Sequence, residues 1–160
     1  MSLTDKKGYP FEVKNCRPED YSFLEEMYDA FSPKGEFQGM PPRDKHARTK
    51  WIQSLIEIGK NFLAWQDGRV VGHVAILPDF DKANAEYLIF LIQTVRGRGI
   101  GKELTLKAIE GIRNLGLSSV WLTVDAYNFK ATRLYRKIGF EFLEEYSSAS
   151  ERMMVLKLET

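Results

Sequence analysis

The chain has 160 residues, 44% of them hydrophobic, which is long enough for one well-buried core and short for two. A formal net charge of +1 supplies no global field to hold nucleic acid, and no run approaches the ~18 uninterrupted apolar residues of a membrane span. One cysteine, Cys16, excludes an intrachain disulfide and leaves no metal-ligand set with only His46 and His73, so a reducing, cytoplasmic setting is expected.

Residues 1–8 are polar and lack a signal-like apolar core, so a flexible N-terminus is expected ahead of one domain over 9–160. Phe11 to Cys16 alternates as a strand does, and Arg17-Pro18 ends it. Phe23, Leu24, Met27, Tyr28 and Phe31 recur at helical spacing, which predicts a helix over about Glu19 to Phe31. Prolines and glycines over 32–42 predict an irregular loop, followed by a helix from Arg43 to Ile58. Phe62 to Trp65 and Val70 to Leu77 flank Asp67-Gly68, a hairpin signal. Ala85 to Ile92 is apolar at nearly every position after Glu86, as a central strand would be.

A helical face then runs through Ile100, Leu104, Ala108, Ile112 and Leu115 to Gly116, and Val120 to Val124 is a further strand. Strand, helix, strand in so few residues implies a parallel crossover. Asn128 to Ile138 reads as the last helix, with Phe140 to Tyr146 and Met153 to Leu158 as closing strands. The sum is an α/β (α+β) fold: a mixed sheet of about seven strands with helices on both faces. His73, inside an apolar strand, reads as a satisfied core residue rather than a catalyst.

The glycine-rich turn Arg96-Gly97-Arg98-Gly99-Ile100-Gly101 sits between a strand and a helix, where bare backbone and a helix N-terminus suit a phosphate or pyrophosphate. A Walker A loop fails, since Gly101-Lys102 is followed by Glu103 and position 96 is Arg. A dinucleotide fingerprint meets Lys102 where its third glycine belongs; Asp125 lies where a ribose-binding acid would sit, so this reading stays open.

The spacing Arg96-x-x-Gly99-x-Gly101 resembles the Q/R-x-x-G-x-G/A signature of the GNAT superfamily of acetyl-CoA-dependent N-acetyltransferases. Downstream, Asn128, Ala131, Leu134, Tyr135, Gly139 and Phe140 resemble that family's N-x-x-A-x-x-L-Y-x-x-x-G-F segment. The resemblance implies a GNAT-like, mostly antiparallel seven-stranded sheet whose central parallel pair, Tyr87 to Ile92 and Val120 to Val124, splays to admit a pantetheine arm. It implies acetyl-CoA as cosubstrate and no metal. The cofactor contacts would be Leu91, Ile92, Val95, Arg96, Gly97, Arg98, Gly99, Ile100, Gly101, Lys102, Asn128, Ala131 and Tyr135.

Amide formation sets the remaining requirements. A lysine-like amine has a reference pKa of about 10.4, so a base must take its proton, whereas the departing thiolate is better released by an acid. The resemblance puts the acid on Tyr135 and an oxyanion-binding N–H near Leu91. Glu86, the acidic residue of the central strand, is the candidate base, with Asp125 as substitute. The loop between the first two helices would shape the acceptor pocket, with Glu36 and Phe37, together with Asp125, contacting substrate and Asp29 able to attract a cationic amine. A small-molecule amine, a protein lysine or an N-terminal amine all fit, and a homodimer is compatible; neither a nucleic acid nor a membrane partner is expected. The alternative function is a CoA- or nucleotide-binding sensor without turnover.

Overall fold

A computed structural model of the chain describes residues 3–35 and 40–158. Strands β1 (Leu3–Thr4) and β2 (Pro10–Asn15) are followed by a 3-10 turn, Pro18–Asp20, whose Asp20 carboxylate accepts from the Arg17 N–H at 2.9 Å. Pro18 opens that turn because its missing N–H would have had no partner there. Helix α1 (Tyr21–Ala30) buries Leu24, Met27 and Tyr28 on one stripe. Helix α2 (Lys45–Ile58) is capped by Asp44, which accepts from the Ala47 N–H at 2.8 Å.

Strands β3 (Lys60–Gln66) and β4 (Arg69–Asp79) form the expected hairpin, with Asp67 at φ 53° and Gly68 at φ 75°. Strand β5 (Asn84–Leu91) and helix α3 (Ile100–Asn114) follow, then β6 (Ser119–Asp125), α4 (Phe129–Ile138), β7 (Glu141–Phe142) and β8 (Glu151–Lys157). One sheet runs β1-β2-β3-β4-β5-β6-β8-β7 and is mostly antiparallel, β5 and β6 being the parallel pair.

Three expectations change. The sheet has eight strands rather than about seven, because Leu3 and Thr4 pair with Phe11 and Pro10. The same pairing ties down residues 3–8 of the segment expected to be flexible: Asp5 and Tyr9 bond through their backbones, and the Lys6 N–H donates to the Arg98 carbonyl at 2.9 Å. Residues 1 and 2 of that segment lie outside the described residues. The strand expected over Phe140 to Tyr146 is only β7 plus a 3-10 turn at Glu144–Tyr146, since the charged pair Glu144-Glu145 offers no apolar face to continue it.

The chain divides into two compact units, residues 1–77 with 88–108, and residues 78–87 with 109–160; β4, β5 and α3 each contribute to both. In the first, Leu24, Met27, Tyr28, Phe31, Ile52, Leu63, Val70 and Phe90 form the core. Gly59, between α2 and β3, has no room for a side chain: a Cβ would stand 2.8 Å from the Leu55 carbonyl oxygen. In the second, β6 pairs with β8 along its whole length, and Val120, Leu122 and Met154 are buried.

A polar chain crosses the first core. Asn61 Nδ2 donates to the Leu55 carbonyl at 3.0 Å, so its Oδ1 accepts from His73 Nε2–H at 2.7 Å. That tautomer leaves Nδ1 to accept from the Tyr28 hydroxyl at 2.6 Å. His73 has no exposed surface, as a core residue should not, and burial pushes its pKa down to about 3. The unfolded chain takes up a proton at His73 near pH 6.5 and the folded chain does not, so this contribution is complete above pH 6.5 and is lost as pH falls towards 3. Urea unfolding is expected to show a stability loss approaching ~1.4 kcal/mol per pH unit below pH ~6. The His73→Gln chain, though less stable, should lose that slope, and an unaltered slope in the variant would contradict the assignment.

Candidate functional site

Between β5 and α3 the chain makes a 3-10 turn at Gln93–Val95 and then the glycine-rich turn. Gly97 and Gly99 hold φ of 78° and 93°, left-handed values that any side chain would strain. Gly101 is glycine for a different reason: a Cβ there would stand 3.1 Å from Leu91 Cδ1, so it lets the first turn of α3 close onto β5. Among the described residues nothing accepts from the N–H groups of Gly97, Arg98 and Gly99. The next three, on Ile100, Gly101 and Lys102, open a helix and have no carbonyl one turn back. The result is a row of backbone donors at the positive end of a helix dipole, suited to a diphosphate.

The arginines of this turn do other work. Arg96 lies over the Phe31 ring at 5.2 Å, and its guanidinium donates to the carbonyls of Leu91 (3.0 Å) and Ser32 (2.6 Å). Arg98 Nη1 stands 3.8 Å from Asp5 Oδ2. Burial pushes the Asp5 carboxyl up, but the N–H groups of Tyr9 and Lys7, the Gln66 amide and Arg98 together hold it below its ordinary value. The Arg96 and Arg98 side chains, expected among the cofactor contacts, engage protein groups in this structure, and Lys102 is exposed. Ile100 and Val95 are buried, the Val95 N–H already donates to Ile92, and the Ile92 N–H donates to Val71 at 2.9 Å. Successive N–H groups of a strand point to opposite edges, so the Leu91 N–H faces away from β4.

The loop after α1 is held from the same connector. Gln93 Oε1 accepts from the Ser32 N–H at 2.9 Å and its Nε2 donates to the Ala30 carbonyl at 2.8 Å. On its far side, Arg48 donates to the carbonyls of Pro42 and Arg43, and the Gly35 N–H reaches the Pro41 carbonyl. Arg48 at 2.6 Å and Lys45 at 3.6 Å engage the exposed Asp29 carboxylate, and the Arg48 bond lowers its pKa. Glu36 and Phe37 lie outside the described residues. Sequence reading passed over Gln93 and Arg48, because their partners are distant in the chain and neither sits in a motif.

In the second unit, Tyr135 is buried, its ring centroid 6.1 Å from Tyr87 and 5.6 Å from Phe140. Burial pushes its hydroxyl up to about 12 against the opposing hydrogen bond with Tyr87. Gly139, at φ 123°, ends α4 and turns the chain so that the N–H of Phe140 returns to the Tyr135 carbonyl at 2.9 Å. Asn128 caps α4 through the Ala131 N–H at 3.2 Å, and Asp125 caps the preceding turn through the Tyr127 N–H at 2.8 Å. Glu86 is half-buried, which raises its pKa, and it pairs in register with Trp121. Neighbouring strand residues face opposite ways, so Glu86 points from the face of β5 opposite to Tyr87 and its partner Tyr135. The parallel register of β5 with β6 covers Asn84 to Glu86. Among the described residues no group of His, Cys, Asp and Glu could hold a metal ion, and no helix is long and apolar enough to cross a membrane.

Residues 22–140 match the family model described as acetyltransferase (GNAT) family. The chain is 33% identical over 146 residues to the uncharacterized N-acetyltransferase YjgM of Escherichia coli strain K12, covering 89% of this chain and 68% of that protein. It is 37% identical over 79 residues to the mycothiol acetyltransferase of Thermomonospora curvata, covering 49% of this chain and 27% of that one, so it spans about a quarter of that relative's length. In fold it superposes on the GNAT domain of S. lividans PAT with a TM-score of 0.82 at 14% identity, covering 99% and 96% of the two chains. A structure of yncA from Salmonella typhimurium, with its cofactor acetyl-CoA, superposes with a TM-score of 0.72 at 16% identity, covering 93% and 94%.

The turn at Gly139 carries a measurable consequence. Gly139→Ala would force a side chain into a left-handed position, with its Cβ 3.2 Å from Leu156 Cδ1. A loss of about 1–2 kcal/mol in denaturant unfolding is expected. A variant as stable as the parent would contradict it.

Proposed function

Because the chain belongs to the acetyltransferase (GNAT) family, we propose that it is an enzyme that moves the acetyl group of acetyl-CoA to a primary amine by direct attack in a ternary complex. The observation that carries the reading is the row of unpartnered N–H groups from Gly97 to Lys102, the donor set that a pyrophosphate needs. The residues present fit that cosubstrate. Glycines keep the turn bare, the Leu91 N–H faces away from β4, and Asn128 keeps its amide NH2 available while its oxygen caps α4. With Ala131 beside it on the first turn of α4, Asn128 would hold the pantetheine arm.

Acetyl-CoA supplies an activated thioester carbon, and the chain must manage charge and protons around it. The Leu91 N–H would meet the negative charge growing on the carbonyl oxygen. As the C–N bond forms and the C–S bond breaks, a proton leaves the amine and one arrives at sulfur. Glu86, whose burial raises its proton affinity towards the working range, takes the first through water. Tyr135 donates a hydrogen bond to the departing sulfur, and water supplies its proton once CoA leaves as the thiolate. With its hydroxyl at about 12, full transfer to a thiolate of pKa near 8.5 would be uphill by roughly 5 kcal/mol, so Tyr135 serves best as a hydrogen-bond donor to a sulfur whose own pKa rises as water is excluded. A cytoplasmic setting, with its acetyl-CoA supply, belongs to this reading.

Acetyl-CoA at a hundred times its Kd should stabilise the protein by about 2.7 kcal/mol in thermal unfolding, and NAD should not. Gly99→Asp places a carboxylate among the donors and should abolish that shift; retention of the shift would remove the phosphate site. In a thiol-release assay over an amine panel that includes lysine peptides, Tyr135→Phe should lose about 10²- to 10⁴-fold in turnover while still binding acetyl-CoA. Activity should also fall as pH drops through the raised Glu86 pKa, and Glu86→Gln should lose that acid limb. Binding of acetyl-CoA with no thiol release for any amine would favour the sensor reading.

A further inference from the structure

Among the side chains of the glycine turn, Arg96 and Arg98 are turned towards protein groups. A further cation comes from a segment far away in the chain. Lys6 donates its backbone N–H to the Arg98 carbonyl at 2.9 Å, and its Cγ and Cε both lie 3.8 Å from where a Cβ on Gly99 would stand. The aliphatic stem of Lys6 thus runs alongside Gly99, and the side chain is exposed beyond it. A lysine in this position covers the bare backbone with methylenes and presents its ammonium at the turn.

The position of Lys6 is built rather than incidental. Asp5, whose side chain has no exposed surface, accepts from the N–H groups of Lys7 and Tyr9 through Oδ1, each at 2.9 Å. The Gly8 N–H returns to the Asp5 carbonyl at 3.0 Å with Gly8 at φ 90°, and the Asp5 N–H reaches the Tyr9 carbonyl at 2.8 Å. Oδ2 of the same carboxylate accepts from the Gln66 amide at 3.1 Å and faces Arg98. One buried acid therefore closes the tight turn that carries Lys6 and pairs with the turn that Lys6 overlies.

We propose that Lys6 is a cofactor-binding residue, its ammonium contacting the pyrophosphate of acetyl-CoA beside the N–H groups of the glycine turn, with Asp5 as the positioning residue that holds it there. The proposal rests on the acetyl-CoA reading above and adds the N-terminal segment to the site. The Leu3–Thr4 pairing gains a role, since it delivers Lys6 to the turn.

Calorimetric titration of acetyl-CoA at low ionic strength tests it with the full chain. Lys6→Met keeps the stem against Gly99 and removes only the charge; it should weaken binding about fivefold, an effect that shrinks as salt rises. Lys7→Met, an equal loss of charge on the neighbouring exposed lysine, should stay within about twofold of the parent. Both variants should melt with the parent, because neither lysine is buried. The fivefold loss should persist with dephospho-CoA, which keeps the pyrophosphate and lacks the 3′-phosphate. Equal affinities for Lys6→Met and the parent would overturn the proposal and leave the acetyl-CoA site standing, as would equal losses for both lysine variants or a loss that vanishes with dephospho-CoA. If the parent itself bound no acetyl-CoA, the cofactor reading and this contact would fall together.

Discussion

The constraint on which the rest depends is that Gly97 to Lys102 keep their N–H groups unbonded among the described residues. Buried or covered donors without acceptors are costly, so such a row persists only where water or an anion can reach it and where the backbone is held open by other means. Left-handed φ at Gly97 and Gly99 opens the turn, and the missing Cβ of Gly101 lets α3 begin directly against Leu91. A turn of this shape has no internal hydrogen bonds to keep it in place. Its rigidity has to be supplied from outside.

Arg96, Arg98 and Gln93 supply it, each in a different direction. Arg96 closes back onto the Leu91 carbonyl and across to Ser32, Gln93 binds both polar groups at the end of α1, and Arg98 meets the buried Asp5. The planar guanidinium of Arg96, with donors on two edges and a face for Phe31, suits a place where two carbonyls and an aromatic ring converge. Both arginines of the glycine turn thus engage protein groups. The same connector holds the end of α1 at Ala30 and Ser32.

The proposed chemistry divides by the faces of one strand. Tyr87 carries Tyr135 on one face of β5, and Glu86 points from the other, so an acid with a raised pKa and a base with a raised pKa are kept apart by the strand itself. Gly139 and Phe140 complete the arrangement, the glycine by its left-handed turn and the phenylalanine by packing on Tyr135.

Local chemistry written in the chain was sufficient for the element order, the hairpin at Asp67-Gly68, the glycine turn and the motif around Tyr135, because each depends on neighbours a few residues apart: periodicity, φ preference and capping. His73 was also legible, since a lone histidine in an apolar strand must be satisfied within the core. The pairings of Arg96 with Ser32, Arg98 with Asp5, Gln93 with Ala30 and Ser32, and Lys6 with Arg98 were not, because each joins residues some sixty to ninety positions apart. Periodicity carries no information about such pairings; a charged side chain reads the same whether it meets a ligand, a carbonyl or a buried acid. Only the assembled sheet, by bringing β1 and the end of α1 beside the turn, decided that its arginines brace the backbone and that a lysine from the N-terminal segment lies over Gly99.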